Sequence, residues 1–213
     1  MKKYIFFDFN GTIIDDVDLC LELLNNLLKK QNKPLVTRQR YKEIFTFPVK
    51  KYYELAGIDF SLNGFEELAV EFIEAYQPRS LSCGLYPNAK QVFQSLKDKG
   101  YHLVILSASE KRNLLEQCDA YEITSYFDAI LGIDNIHAES KVQIALNYMK
   151  NQAIQGSDIL FIGDTLHDLE VAHAMEAECV LVSCGHQSTE VLTSGGVPIL
   201  SSISDVLGYL GEE

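Results

Sequence analysis

The sequence predicts an α/β protein: a doubly wound parallel sheet with a small helical domain inserted after its first strand. Three observations carry that expectation. Short, almost uninterrupted apolar runs recur along the chain, as expected of parallel strands covered on both faces. Segments with helical periodicity separate these runs at βαβ spacing. Between positions 15 and 82 the alternation stops, and amphipathic helical patterns take its place.

The first run, 3–9, is β-rich, meets a carboxylate at Asp8 and leads into Gly11-Thr12, so it reads as a buried strand entering a loop. Four further strands are expected at 102–107, 127–132, 158–164 and 179–183, with 197–200 as a weaker sixth. Helices are expected at 88–99, 110–120, 140–150, 166–175 and 201–210, with Asn88 and Ser140 as N-caps and Gly100 as a helix stop. Inside the insert the helical stretches are 17–30, 38–45 and 62–75, with a break at Phe47-Pro48. The expected division is therefore a core of 1–14 and 83–213 and a helical domain of 15–82. In doubly wound sheets ligands bind at the carboxyl ends of the strands. Asp8, Ser107 and Asp164 all fall at such ends.

A chain of 213 residues, 47% of them hydrophobic, can bury one substantial core and a small second module. Its formal net charge of −12 argues against nucleic acid as a partner, because phosphate backbones need a basic face. Charge is uneven, however: between Lys29 and Lys51 stand eight basic residues and one acid, Glu43. That stretch would draw an anionic ligand and face whatever the first loop binds, or it is a solvated helical face. Lys50 and Lys51 are its candidates for substrate binding; the adjoining Tyr52 and Tyr53 line a pocket or fill the insert's core. The five cysteines form no CxxC pair, so neither a disulfide framework nor a zinc site is expected. His102, His137, His167, His173 and His186 are too scattered to suggest ligands. Asp8 interrupts the N-terminal apolar run too early for a signal peptide, and no stretch reaches the length of a membrane span. A cytoplasmic protein without a membrane partner, monomeric or weakly dimeric, is expected.

The chemistry-bearing residues converge. Gly11 and Thr12 after Asp8 suit a tight loop with free N–H groups for an anion. Asp164 and Asp168 put two carboxylates four apart where a strand turns into a helix, and Mg²⁺ takes oxygen ligands of this kind. Acids enriched at a helix N-terminus are the plainer reading of that pair. Ser107 ends another strand and Lys141 begins a later helix. A nucleophilic carboxylate, a metal, a hydroxyl donor and a fixed cation are what phosphoryl transfer requires.

In order along the chain, DFNGT, LVILS, the isolated Lys141 and ILFIGDTLHD resemble the four motifs of the haloacid dehalogenase (HAD) superfamily, and the helical insert resembles its cap. The nearest subgroup by pattern is the phosphoglycolate phosphatase and β-phosphoglucomutase type. The resemblance implies a Rossmann-like core, a small phosphorylated metabolite as substrate, and Asp8 as a nucleophile that becomes an aspartyl-phosphate. It implies that Ser107 and the backbone around Ala108 hold phosphoryl oxygens and that Lys141 offsets charge. Mg²⁺ would lie between Asp8, Asp164 and the main-chain carbonyl of Asn10, with Asp168 orienting the metal's waters or Lys141. One departure matters: family phosphatases carry a second aspartate where this chain has Asn10, and an amide can neither protonate a leaving group nor activate water. Ala108 and Ser109 also depart from the pattern, as do the residues after Lys141, which lack the usual prolines. Two alternatives follow from Asn10: a phosphonatase-type enzyme using Lys50 or Lys51 as a Schiff base, or a catalytically weak protein that binds a phosphometabolite.

Overall fold

The computed structural model describes residues 2–133 and 140–211. Six strands, β1 (Tyr4–Phe7), β2 (His102–Glu110), β3 (Ala129–Ile133), β4 (Ile159–Gly163), β5 (Glu178–Val182) and β6 (Ile199–Leu200), form one parallel sheet in the order β3-β2-β1-β4-β5-β6. Phe7 stands opposite Ile105 on one side and Ile162 on the other. The strand order reverses between β1 and β4, and the crevice beyond their carboxyl ends is where such sheets bind ligands.

Helices cover both faces. Ile5 and Phe7 of β1 pack on one side with Phe93 and Leu96 of α5 (Ala89–Asp98) and Leu114 of α6 (Lys111–Ala120). Phe6 points the other way, toward Ala145 and Met149 of α7 (Lys141–Gln152) and Val171 of α8 (Leu166–Ala174). All three β1 side chains are fully buried, which is why this strand reads as a continuous apolar run rather than an alternating one. Two short helices, α9 (Thr189–Thr193) and α10 (Val206–Leu210), complete the chain.

The insert holds α1 (Val17–Lys30), α2 (Arg38–Ile44), α3 (Val49–Ala56) and α4 (Phe65–Ser80), which share a separate hydrophobic cluster including Leu24, Leu28, Tyr41, Tyr53 and Tyr76. Helix α3 is an element that the periodicity did not suggest: eight residues beginning after Pro48 are too few for a clear signal. Its Val49, Tyr52, Tyr53 and Ala56 follow the i, i+3, i+4, i+7 spacing of an inward stripe. That leaves Lys50 and Lys51 on the exposed face.

Other boundaries move for local reasons. Ser140 caps α7 as expected, accepting from the Gln143 amide at 3.2 Å. Asn88 occupies the N-cap position of α5, but with φ +62° its side chain reaches Ser204 instead of the helix amides. Strand β2 continues three residues beyond Ser107, with a register shift between Leu106 and Glu110. The expected helix at 201–210 shortens to α10 because a single turn of 3₁₀ helix precedes it. Among the described residues no helix is long and apolar enough to cross a membrane, and all five cysteines are free.

Candidate active site

Asp8 lies just past β1, its amide donating to Ile162 O at 2.8 Å, and Asp164 lies just past the neighbouring β4. Adjacent strand ends thus bring the two carboxylates together. With Asp168 they offer oxygens all within 4.8 Å of one another, and all three residues are buried. Lys141, the first residue of α7, reaches across to bond Asp8 Oδ1 and, at 2.6 Å, Asp168 Oδ1. The other Asp168 oxygen accepts from the amides of Asp164 and Thr165 and from Thr165 Oγ1, closing a capping box at the start of α8. Asp168 thus both caps α8 and bonds Lys141. Asp164 accepts from the His186 amide at 2.6 Å and from Thr12 Oγ1 at 3.4 Å. The backbone wraps it so closely that a Cβ at Gly11 or Gly185 would lie 2.3 or 2.2 Å from its Oδ2.

Burial dominates the electrostatics. It pushes the Asp8 carboxyl well above its usual range in spite of Lys141. Asp164 rises to about 7, driven by burial and by the Asp168 charge and moderated by His186. Burial also opposes the charges of Asp168 and Lys141, but their mutual attraction prevails, holding Asp168 low and Lys141 high. Lys141 thus serves both Asp168 and Asp8, and the three carboxylates share one bonded cation. A buried, all-oxygen donor set with a deficit of cations fits a small hard divalent ion.

A second ionic group lies beside the first. Asn10 Nδ2 donates to Asp16 Oδ2 (2.9 Å) and to Tyr76 Oη (2.6 Å), while Asn10 Oδ1 accepts from Ser109 Oγ (3.0 Å). Asp16 also accepts from the Gly11 amide and the Tyr76 hydroxyl. Across from it, His186 Nε2 stands 3.3 Å from Asp16 Oδ1, and His186 Nδ1 lies 2.8 Å from the Tyr41 hydroxyl. Burial works against the His186 charge, yet Asp16 raises the imidazole to about 9; His186 in turn keeps Asp16 below its ordinary value. Asp16, Cys20 and His186 are close enough to share an ion, but a charged imidazole has no lone pair to give. The group is a closed ion pair. Sequence reasoning passed over His186 as isolated. Its partners lie in the insert, 145 or more positions away, and no local pattern announces them.

These groups floor a cavity of about 610 Å³ between the sheet and the insert. Asp8, Asn10, Ser107, Ala108, Lys141 and Asp164 line it from below, as Asp168 does. Tyr41, Phe45, Phe47, Tyr52, Tyr53 and Phe72 line it from the insert. Tyr52 and Tyr53 prove to be both core and wall.

Two pairs of expected substrate-binding residues fall elsewhere. Gly11 and Thr12 sit behind Asp164, where the Gly11 amide is bonded to Asp16 and the Thr12 hydroxyl to Asp164. Lys50 and Lys51 lie outside the lining because the α3 stripe turns them to solvent; Lys50 rests over the Phe60 ring, 5.6 Å from its centre. The rest of the basic stretch is largely spent inside the insert. Lys30 pairs with Glu71, Lys33 with Asp59, Arg38 with Asp18 and Arg40 with Glu43, while Lys42 donates to Ser183 O. A Schiff base on Lys50 or Lys51 thus lacks the required reach into the cavity. Of the other histidines, His102 pairs with Asp128 at the start of β2 and His167 with Glu170, while His137 lies outside the described residues.

Residues 5–182 match the family described as haloacid dehalogenase-like hydrolases. The chain is 31% identical over 193 residues to a phosphoglycolate phosphatase of Pseudomonas fluorescens, covering 87% of this chain and 71% of that one. Two solved structures share its fold. One is a predicted phosphatase from Clostridium acetobutylicum (TM-score 0.83, 20% identity, 100% of both chains). The other is a haloacid dehalogenase-like family hydrolase from Streptococcus pneumoniae (TM-score 0.82, 18% identity, 98% of both chains). With the strand order, the carboxylates at the ends of β1 and β4 and a family match across most of its length, the chain belongs to the haloacid dehalogenase-like hydrolases.

Proposed function

We propose that this protein is a Mg²⁺-dependent phosphatase of small phosphate esters, with Asp8 as nucleophile and residues 15–82 as a cap domain over the site. The observation that carries the reading is the placement of Asp8 beside Asp164, tethered by Lys141, on the floor of a cavity roofed by the insert. The naming of relatives as phosphatases supports it. Asp8, Asp164 and the main-chain carbonyl of Asn10 would hold the ion. When bound, Mg²⁺ supplies positive charge that draws phosphoryl oxygens to the carboxylates.

Asp8 then attacks phosphorus, the ester oxygen leaves with its bonding pair, and water later cleaves the aspartyl-phosphate to return Asp8 and release inorganic phosphate. Lys141 offsets charge on Asp8 throughout, and Ser107 with the backbone at Ala108 cradles the phosphoryl oxygens. Asn10 cannot act as acid or base. General acid–base groups contribute about 10²- to 10⁴-fold, so turnover of esters with poor leaving groups is slow. A hydrolysis screen over phosphorylated metabolites, with Mg²⁺ or excess chelator, tests the reading. Release of phosphate should require Mg²⁺ and vanish in Asp8→Asn. Hydrolysis that survives the chelator or the variant would overturn it.

A further inference from the structure

Building on that phosphatase reading, we infer that the substrate is an aryl phosphate: a monoester on a phenolic oxygen whose ring is uncharged, rather than a phosphorylated small acid or sugar. Two independent observations lead there. The first is the cavity wall. Phe45, Phe47, Tyr52 and Phe72 present rings to the cavity, and Phe45 lies 5.0 Å from Tyr52 and 5.7 Å from Phe47, centre to centre. The hydroxyls nearest the floor are committed, Tyr76 to Asp16 and Tyr41 to His186. Among the described residues the lining includes one lysine and no arginine. That lysine, Lys141, is bound by Asp8 and Asp168, and His186 is bound by Asp16 and Tyr41. His167, the remaining lining group that can carry positive charge, pairs with Glu170, so a substrate carboxylate would be buried against rings without a free cation, which is costly; a sugar would set its hydroxyls against a wall made mostly of rings. A flat apolar ring meets edge-to-face and stacked partners instead. The volume of about 610 Å³ lies in the usual range for such ligands.

The second observation is the missing acid. The Asn10 amide is saturated by Asp16, Tyr76 and Ser109. Asp16 already accepts from Gly11, Asn10 and Tyr76 and pairs with His186, so it has no proton to give. When the bond from Asp8 to phosphorus forms and the ester P–O bond breaks, the electron pair must stay on the departing oxygen until water protonates it. A phenol ionises with a pKa of about 10, and its oxygen holds that charge far better than an alkoxide does. Water then releases inorganic phosphate from Asp8, and the balance needs no other reactant.

The test separates ring recognition from leaving-group chemistry by using four phosphates with Mg²⁺. Naphthyl phosphate has both a ring and a good leaving group, benzyl phosphate only the ring, acetyl phosphate only the leaving group, and phosphoglycolate neither. Naphthyl phosphate should give the highest kcat/KM, benzyl phosphate a comparable KM with low kcat, and acetyl phosphate measurable kcat with KM raised about tenfold or more. Phe72→Leu should raise KM for naphthyl phosphate about 2- to 10-fold, the scale of one aromatic contact, without moving that for acetyl phosphate. Equal or better kcat/KM on phosphoglycolate overturns the inference and leaves the phosphatase reading standing. Calorimetry gives a turnover-free readout: benzylphosphonate should bind at least tenfold tighter than 3-phosphonopropionate. If nothing is hydrolysed the phosphatase reading falls, and equal or reversed phosphonate affinities overturn the ring preference by themselves.

Discussion

Two buried ionic groups lie side by side at the mouth of the sheet, and they are built to opposite ends. Asp8, Asp164 and Asp168 share one lysine, and Lys141 spends itself on Asp8 and Asp168. Asp164 is left with a carboxyl that burial and the Asp168 charge raise to about 7. Asp16 faces the same low-polarity surroundings, yet a charged His186, a tyrosine hydroxyl, an amide and a backbone N–H complete it, and its carboxyl sits below the ordinary value. Identical side chains in equally buried places thus differ by what stands opposite them. The unfinished group is suited to take up an ion; the finished one is suited to stay put and to hold Asn10.

Removing one charged side chain from each group should separate these roles. Asp164→Asn is expected to abolish Mg²⁺ binding by calorimetry and to take phosphate release to background, since a metal's share of transition-state charge stabilisation is several kcal/mol. His186→Gln should do the reverse. Its backbone amide still holds Asp164, so Mg²⁺ affinity stays within about tenfold, whereas breaking a buried ion pair costs about 3–5 kcal/mol of stability. Loss of Mg²⁺ affinity in His186→Gln, with the fold intact by circular dichroism, would show that the two groups are one.

A smaller effect appears in the pH dependence of stability. Asp164 holds its proton more tightly in the folded chain than in the unfolded one, where an aspartate titrates near 4. Metal-free stability therefore falls as pH rises from about 4 to about 7. His186, raised from about 6.5 to about 9, contributes stability that is fully present below 6.5 and is lost as pH climbs through 9. Thermal unfolding should thus decline across both windows. Saturating Mg²⁺ should flatten the lower one only, and His186→Gln the upper one only. A lower window that persists in Mg²⁺ would contradict the assignment of Asp164 as a ligand.

Much of this was legible in the sequence because buried parallel strands leave unbroken apolar runs. Asp8 and Asp164 could be placed at strand ends from Ile5–Phe7 and Leu160–Ile162 alone. Lys141 drew its meaning from the motif resemblance, since nothing local distinguishes it from other helix-starting lysines. What stayed hidden depended on contacts between distant segments. His186 acquires its charge from Asp16 across 170 positions, and the aromatic wall assembles from α2, α3, α4 and the loop that carries Phe45 and Phe47. The outward turn of Lys50 and Lys51 has a simpler cause. A charge run says how many cations a segment has, but the stripe of Val49, Tyr52, Tyr53 and Ala56 decides which way they face.

The most direct test is rapid quenching of the protein mixed with Mg²⁺ and an aryl phosphate, followed by mass analysis of the peptide that contains Asp8, in parallel with Asn10→Asp. In that variant the new carboxyl lies against Asp16, and two carboxyls so close keep a proton between them, which restores an acid at position 10. The protein as it stands should accumulate one phosphoryl group on Asp8, because water attack lacks its base. Asn10→Asp should shorten the intermediate's life and speed alkyl phosphate turnover by about 10²- to 10⁴-fold. Phosphate release without any phosphoryl group on Asp8 in either protein, or a phosphoryl group found on another residue, would contradict the account.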